Sequence, residues 1–321
     1  MAKTEFELIH HYFKPLSVPS EQVTLGIGDD AALCLPPPGM QLAISVDTLV
    51  AGVHFPQDTA PEDIGYKALA VNLSDMAAMG AKPAWFTLAL TCPQIDEQWL
   101  AQFCQGMTTL AKLAEVSLIG GDTTQGPLAI TIHIIGLLPQ HQALRRGGAQ
   151  AGEGIYVTGT LGDAGLGLAS ITQQLTLPPT AKTYVESRLN RPTPRWQEGQ
   201  ALRGLATSAI DISDGLFSDL EHILQENALG AAIFLSQLPL SSAMRELVTP
   251  EAAWELALTA GDDYELCFTL PVQQHAALAK ALPMTVYTRI GTLETKPGVR
   301  CWLPEGQLWI PKRSGYQHFK E

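Results

Sequence analysis

Leu128-Ala-Ile-Thr-Ile-His-Ile-Ile-Gly-Leu-Leu138 is the longest stretch of the chain that resembles a membrane span, and Pro127 and Pro139 close it at both ends. It falls well short of the ~20 apolar residues that a membrane-crossing helix needs. His133 alternates with isoleucines, so the segment reads as a β-strand. Outward from it, strand-like runs fall at residues 41–46, 84–90, 155–158, 207–212, 231–235, 264–270 and 286–290. Helical periodicity separates them at residues 62–79, 96–114, 164–174, 216–227 and 272–282, and an amphipathic helix opens the chain. After the strand, Pro139-Gln-His-Gln-Ala-Leu-Arg-Arg-Gly-Gly-Ala-Gln-Ala-Gly152 is polar, glycine-rich and aperiodic, as a domain boundary should be. The fold class expected is α+β, with two mixed α/β domains at residues 1–139 and 140–321.

The composition agrees with two compact domains. Of 321 residues 46% are hydrophobic and only 16% charged, too apolar for a disordered chain. Twenty Lys and Arg stand against 32 Asp and Glu, a net charge of −12. Without a basic run such a chain repels nucleic acid and anionic lipid, although small phosphates remain possible partners through metal ions. The N-terminus lacks an apolar signal core, which points to the cytoplasm. Cys34, Cys92, Cys104, Cys267 and Cys301 are scattered and never form C-x-x-C, so they read as reduced thiols.

The informative acids sit at strand ends beside Gly, Ser or Thr: Asp29 and Asp30 after Gly26-Ile-Gly28, Asp47 after the run 42–46, and Asp122 after Ile119-Gly-Gly. Asp211 and Asp214 frame Ile212-Ser213, and Gly261-Asp-Asp-Tyr-Glu265 closes the set. Singly, each is compatible with turn chemistry; Asp214 before a helix could be an N-cap, and Asp96 or Asp63 first-turn residues. Asp75 is different. Thr59-Ala-Pro-Glu62 reads as a capping box, and in the helix that follows Ile64, Ala68, Val71, Asp75, Ala78 and Met79 share one stripe. A carboxylate there needs a metal or a tertiary cation, since no Lys or Arg lies three or four residues away. Aspartates together with Ser45, Thr48, Thr123 and Ser213 are hard oxygen donors suited to Mg²⁺ or Mn²⁺, pointing to metal-assisted phosphate chemistry.

Several phosphate-site architectures are excluded. No G-x-x-x-x-G-K-[ST] occurs. Gly26-Ile-Gly-Asp-Asp-Ala31 imitates a dinucleotide fingerprint but runs into Pro36-Pro-Pro38, leaving no room for the helix that fingerprint must open. G-x-S-x-G and H-E-x-x-H are absent too. Arg145 and Arg146 could be solvated linker charges or could grip a phosphate.

Taken in order, Gly26-Ile-Gly-Asp-Asp-Ala-Ala, Ser45-Val-Asp-Thr-Leu-Val-Ala-Gly-Val-His54-Phe, Val71-Asn-Leu-Ser-Asp75-Met-Ala-Ala-Met-Gly-Ala, Gly120-Gly-Asp-Thr-Thr, Ile210-Asp-Ile-Ser-Asp-Gly-Leu216 and Gly261-Asp-Asp-Tyr-Glu-Leu closely resemble the thiamine-monophosphate kinases, within the aminoimidazole-ribonucleotide synthetase superfamily. The resemblance runs to the closing Gly315-Tyr-Gln-His-Phe319. It implies transfer of the γ-phosphoryl group of ATP to thiamine monophosphate, with several Mg²⁺ ions. The N-terminal domain would bind ATP and metal and form a homodimer through its sheet, and the C-terminal domain would add metal, ATP and thiamine phosphate contacts. Carried over by position, Asp30, Ser45, the Val46 backbone, Asp47, Asp75, Asp122 and Asp211 or Asp214 would hold metal. Gly121, Asp122, Arg146 and Ser213 would contact ATP, and His54, Asp262 and Tyr316 the thiamine phosphate.

Asp262 stands where this family usually has Glu, one methylene longer, and Glu153 where it usually has Asp, at an expected domain entrance where the change should matter little. The acceptor phosphate is already ionised, so no general base or nucleophile is expected and transfer should be direct and in line. The rivals are a sister synthetase or dehydratase, whose hydrogenase-maturation and selenophosphate types depend on a terminal cysteine or selenocysteine not found here, and a non-catalytic nucleotide-binding scaffold.

Overall fold

The computed structural model describes residues 5–18, 20–282 and 287–318. Val286 of the last expected strand, the first four residues of the opening helix and Phe319 of the closing motif lie outside them. The chain divides into two compact units, residues 1–76 with 81–141 and residues 77–80 with 142–321.

The first unit contains α1 (Glu5–Leu8), β1 (Val23–Leu25), β2 (Leu33–Cys34), β3 (Met40–Val50), α2 (Pro61–Ala78), β4 (Lys82–Cys92), α3 (Glu97–Ala114), β5 (Ser117–Gln125) and β6 (Ala129–Pro139). The apolar stretch at residues 128–138 is β6, which buries Ile130, Ile132 and Ile134 on one face. It pairs with β3 along its whole length, from Met40 opposite Pro139 to Val50 opposite Ala129. The sheet order is β3-β6-β4-β5, with β4 and β5 parallel and joined through α3. Gly26-Ile-Gly28 opens no helix and lies in the connection between the short paired strands β1 and β2.

Helix α2 corrects one expectation. It starts at Pro61, so Ala60 takes the N-cap place expected for Thr59. It is buried nearly all round, including Lys67, Asn72 and Ser74, so a one-sided apolar stripe is the wrong picture. Asp75 occupies one of its few half-open positions rather than the middle of a buried face. Helix α3 is preceded by Asp96, whose side chain accepts from the N–H groups of Gln98 and Trp99 as a true N-cap.

The second unit comprises β7 (Gly154–Thr158), α4 (Asp163–Ile171), α5 (Pro179–Asn190), α6 (Trp196–Ala201), β8 (Ser208–Asp211), α7 (Leu216–Asn227), β9 (Gly230–Phe234), α8 (Ser242–Leu247), α9 (Pro250–Thr259), β10 (Leu266–Leu270), α10 (His275–Ala281), β11 (Tyr287–Glu294), β12 (Gly298–Trp302) and β13 (Leu308–Trp309). Its strands form one sheet in the order β13-β12-β9-β11-β7-β10-β8. Every residue of β7, β8 and β10 is buried, as in a sheet covered on both faces. Leu216, Leu220, Ile223 and Leu224 of α7 pack on this core at helical spacing. All five cysteines are free, and Cys104, Cys267 and Cys301 are buried. No described helix is long and apolar enough to cross a membrane.

Candidate phosphate and metal site

In the first unit the two glycine–aspartate motifs meet. A pocket of about 470 Å³ is lined by Gly28, Asp29, Asp30, Gly120, Gly121 and Asp122, with Ile9 and Phe13 among its apolar walls. Gly28 takes φ +128°, a left-handed geometry that suits glycine, and the next peptide is held by Asp30 N donating to Asp29 Oδ1 at 2.8 Å. Gly121 lies opposite Leu88 on the neighbouring strand, and a side chain on it would run into the Leu88 backbone carbonyl. Glycine is therefore forced on β5 beside Asp122, and the same choice exposes backbone to the pocket.

A second group forms where β3 meets α2. Ser45 Oγ donates to Asp75 Oδ2 at 2.5 Å, joining two of the expected metal ligands. Val46 is 55% exposed, and Asp47 follows it on the same strand. His54 is held in the turn after β3, its Nδ1 accepting from Val50 N at 2.9 Å and its carbonyl accepting from Lys67 Nζ at 3.2 Å. Nδ1 is thus an acceptor, which fixes the tautomer with the proton on Nε2. Asp47 and Asp122 are not brought together. They lie on opposite edge strands, three strand spacings or about 14 Å apart. Among the described residues no three His, Cys, Asp or Glu side chains converge tightly enough to hold a metal on their own.

The second unit gathers three distant motifs around one turn, Ser213-Asp214-Gly215. Ser213 O accepts from Asp262 N at 2.9 Å, and Asp214 O accepts from Tyr316 N at 3.0 Å. Ile212 O accepts from Tyr264 N at 2.8 Å, and Ile212 N donates to Glu265 O at 2.8 Å. Asp262 and Tyr264 both take positive φ, 69° and 50°, so the acidic loop is wound tightly about this turn. Asp211 ends β8 and is 8% exposed. Burial lifts the Asp214 carboxyl above the usual range, His318 and His222 oppose the shift, and Asp262 adds to it. Arg146 is exposed, and its segment is fastened by Asn227, which bonds to Arg146 O, Gly148 N and Ala149 N.

One expectation is corrected in this unit. Asp214 is not the cap of α7. Gly215 holds the N-cap position without a side chain, and Asp219, inside the first turn, reaches back with one oxygen to the N–H groups of Ser213, Asp214 and Gly215. Burial, reinforced by the charge of Asp214 and opposed by those three N–H groups, pushes the Asp219 carboxyl up to about 7. The sequence signal was available, an aspartate four residues after the turn glycine. Glu153, for its part, is 5% exposed and accepts from Thr207 Oγ1 at 2.5 Å and Gln150 N at 3.2 Å, so it is an internal anchor.

Behind the acidic loop lies a network not foreseen from sequence. Glu265, fully buried, accepts from Arg195 Nε at 2.6 Å, Arg195 Nη2 at 2.8 Å, Arg188 Nη2 at 2.8 Å and Thr158 Oγ1 at 2.6 Å. Asp263 is 1% exposed and its Oδ2 accepts from Gly162 N at 2.8 Å. Burial raises its carboxyl well above the usual range, although Gly162 N–H and Arg188 oppose this.

Two family models match the chain, AIR synthase related protein, N-terminal domain over residues 28–138 and AIR synthase related protein, C-terminal domain over residues 150–303. Thiamine-monophosphate kinase of Escherichia coli (strain K12) is 49% identical over 99% of both chains. Thiamine-monophosphate kinase from Stenotrophomonas maltophilia K279a superposes with a TM-score of 0.86 at 44% identity, over 94% of this chain and 97% of that one. AaThiL complexed with AMPPCP and TMP has a TM-score of 0.78 at 28% identity over 99% of each chain. The chain belongs to the thiamine-monophosphate kinase family.

Proposed function

We propose that this chain phosphorylates thiamine monophosphate with ATP, giving thiamine diphosphate and ADP. The observation that carries the reading is 49% identity to a thiamine-monophosphate kinase over 99% of both chains. AaThiL, covered end to end at 28% identity, was solved with AMPPCP, an ATP analogue, and TMP. The residues suit the chemistry. Both reactants are anionic, the pocket of the first unit is lined by Asp29, Asp30 and Asp122 with no Lys or Arg, and cations must offset the repulsion.

Asp30, Ser45 Oγ, the Val46 carbonyl, Asp47, Asp75, Asp122, Asp211 and Asp214 would hold Mg²⁺. Their oxygens are hard donors, and because no three acids among the described residues converge, each ion would take one or two carboxylates and complete its shell with phosphate oxygens and water. Bound Mg²⁺ supplies charge neutralisation at the phosphates. In this reading Gly121, Arg146 and Ser213 bind and orient ATP, while His54, Asp262 and Tyr316 position the thiamine phosphate. No side chain abstracts a proton, because the attacking phosphate oxygen already carries charge. A homodimer fits the first unit, whose edge strand β3 leaves Leu42, Ile44 and Val46 exposed at 44%, 58% and 55%. The free cysteines fit a cytoplasmic location. The test is ADP formation by purified protein with Mg²⁺ and ATP, comparing thiamine monophosphate with thiamine and aminoimidazole precursors. Turnover confined to thiamine monophosphate, with thiamine diphosphate as product, is expected; ATP binding without it would move the function to a sister enzyme or a scaffold. Light scattering of Ile44→Glu tests the dimer, and an unchanged mass would refute this surface.

A further inference from the structure

In the second-unit cluster Ser213, Asp214 and Asp262 are half-buried and Tyr316 is exposed, but the element that holds them together is internal. Asp219 is 3% exposed, too enclosed to touch a substrate. Its Oδ2 accepts from Ser213 N at 3.0 Å, Asp214 N at 3.0 Å and Gly215 N at 3.1 Å. The N–H groups of the turn thus face inward to one oxygen, while its carbonyls face outward to Asp262 N and Tyr316 N. There is little slack between these segments. A side chain at Gly261 would lie 2.5 Å from Ser213 O, and one at Gly315 would lie 2.7 Å from Ser218 Cβ and 3.0 Å from Asp214 O. Rotating the turn by a small amount would therefore carry the Asp262 and Tyr316 segments with it. We infer that Asp219 is a positioning residue for phosphoryl transfer, fixing through three backbone hydrogen bonds the turn on which Ser213, Asp214, Asp262 and Tyr316 are all set. The inference rests on the thiamine monophosphate kinase reading. It assigns Asp219 no contact with either substrate.

An ordinary helix cap would give stability and nothing more, so the experiment separates the two. Asp219→Ala, Asp219→Asn and Asp219→Glu are compared with Asp96→Ala, which removes the N-cap of α3 in the first unit and serves as a control for the loss of a helix cap. kcat and KM for ATP and thiamine monophosphate are measured well below each melting midpoint, with urea unfolding in parallel. Asp219→Ala is expected to lose at least a hundredfold in kcat/KM, spread over kcat and both KM values, whereas Asp96→Ala stays within threefold. Asp219→Asn keeps an acceptor of the same length and should stay within tenfold of the parent. If Asp219→Ala does not fold, Asp219→Glu decides, because its extra methylene must displace the turn and should cost tenfold or more. Unchanged kinetics in folded Asp219→Ala or Asp219→Glu would overturn the inference, and so would Asn as impaired as Ala, since the acceptor geometry would then be irrelevant. A parent protein that never turns over thiamine monophosphate would instead overturn the functional reading, independently of any variant.

Discussion

Replacing Glu265 by Gln would unbalance the most enclosed charge network of the second unit. The native carboxylate accepts two hydrogen bonds from Arg195, one from Arg188 and one from Thr158, and it is fully buried while the two arginine side chains are 19% and 14% exposed. Burial pulls the Arg195 pKa down, and hydrogen bonds and charge from Glu265 outweigh it, so the guanidinium is held charged. Gln offers one acceptor oxygen and turns its amide donor toward a guanidinium that is itself only a donor. Removing one partner of a buried ion pair costs about 3–5 kcal/mol. Because both guanidinium groups keep a little access to water, the lower end applies, about 3 kcal/mol. For a unit of this size that is a fall of roughly 6–12 °C in melting midpoint. Urea and thermal unfolding of the variant check it, and the Glu265→Gln/Arg195→Met double variant should be less destabilised than the two single losses combined. A loss below about 1 kcal/mol in Glu265→Gln would refute the claim that this network is charged and enclosed.

Asp75→Asn keeps the shape of the side chain and an acceptor for Ser45 Oγ, so the fold should persist while kcat falls by two or more orders of magnitude; unchanged turnover at saturating Mg²⁺ would remove Asp75 from the metal set. Asp263 binds its proton far more tightly folded than unfolded, so the native state holds the extra proton and stability declines as pH rises from about 4, at up to about 1.4 kcal/mol per pH unit. Urea midpoints between pH 5 and 9 should fall more for the parent than for Asp263→Asn, which cannot ionise; parallel profiles would be the contrary result. Gly106→Ala usually gains about 1 kcal/mol inside a helix, but here the new methyl would run into the Glu62 backbone carbonyl of α2, and overpacking of about 1–3 kcal/mol or more should reverse the sign. A rise in melting midpoint would show that α2 and α3 can move apart.

Where side chains alternate or repeat strongly, the sequence was readable. The stretch 128–138 became β6 with one residue of shift, and the expected helices 62–79 and 96–114 became α2 and α3. Strand β5 was missed because Gly120 and Gly121 lower strand propensity; the strand tolerates them since the Leu88 carbonyl leaves no room at Gly121 for anything larger. Helix α5 was missed because only Val185 and Leu189 are buried on it, too few to set a period. Asp75 was singled out for a reason the fold does not support, a one-sided helix, yet Ser45 donates to it across the β3–α2 junction.

The aspartates show where such reading stops. Asp30, Asp122, Asp214, Asp219 and Asp263 all stand beside glycine or within a few residues of it, and composition treats them alike. What separates them is the direction from which N–H groups arrive. Asp30 and Asp122 line a pocket, so their oxygens are available to a cation. Asp219 and Asp263 spend an oxygen on backbone N–H groups, the first on three from the turn four to six residues before it and the second on Gly162 N, 101 residues away. Backbone donors are the same for every residue except proline, so sequence announces the supply only where it is local, as for Asp219 four residues after the turn glycine, and not for Asp263, whose donor depends on how distant segments meet. An acidic chain that must hold phosphates therefore uses one side chain for two opposed tasks, gathering cations at its surface and fastening, from inside, the turns on which those carboxylates are set.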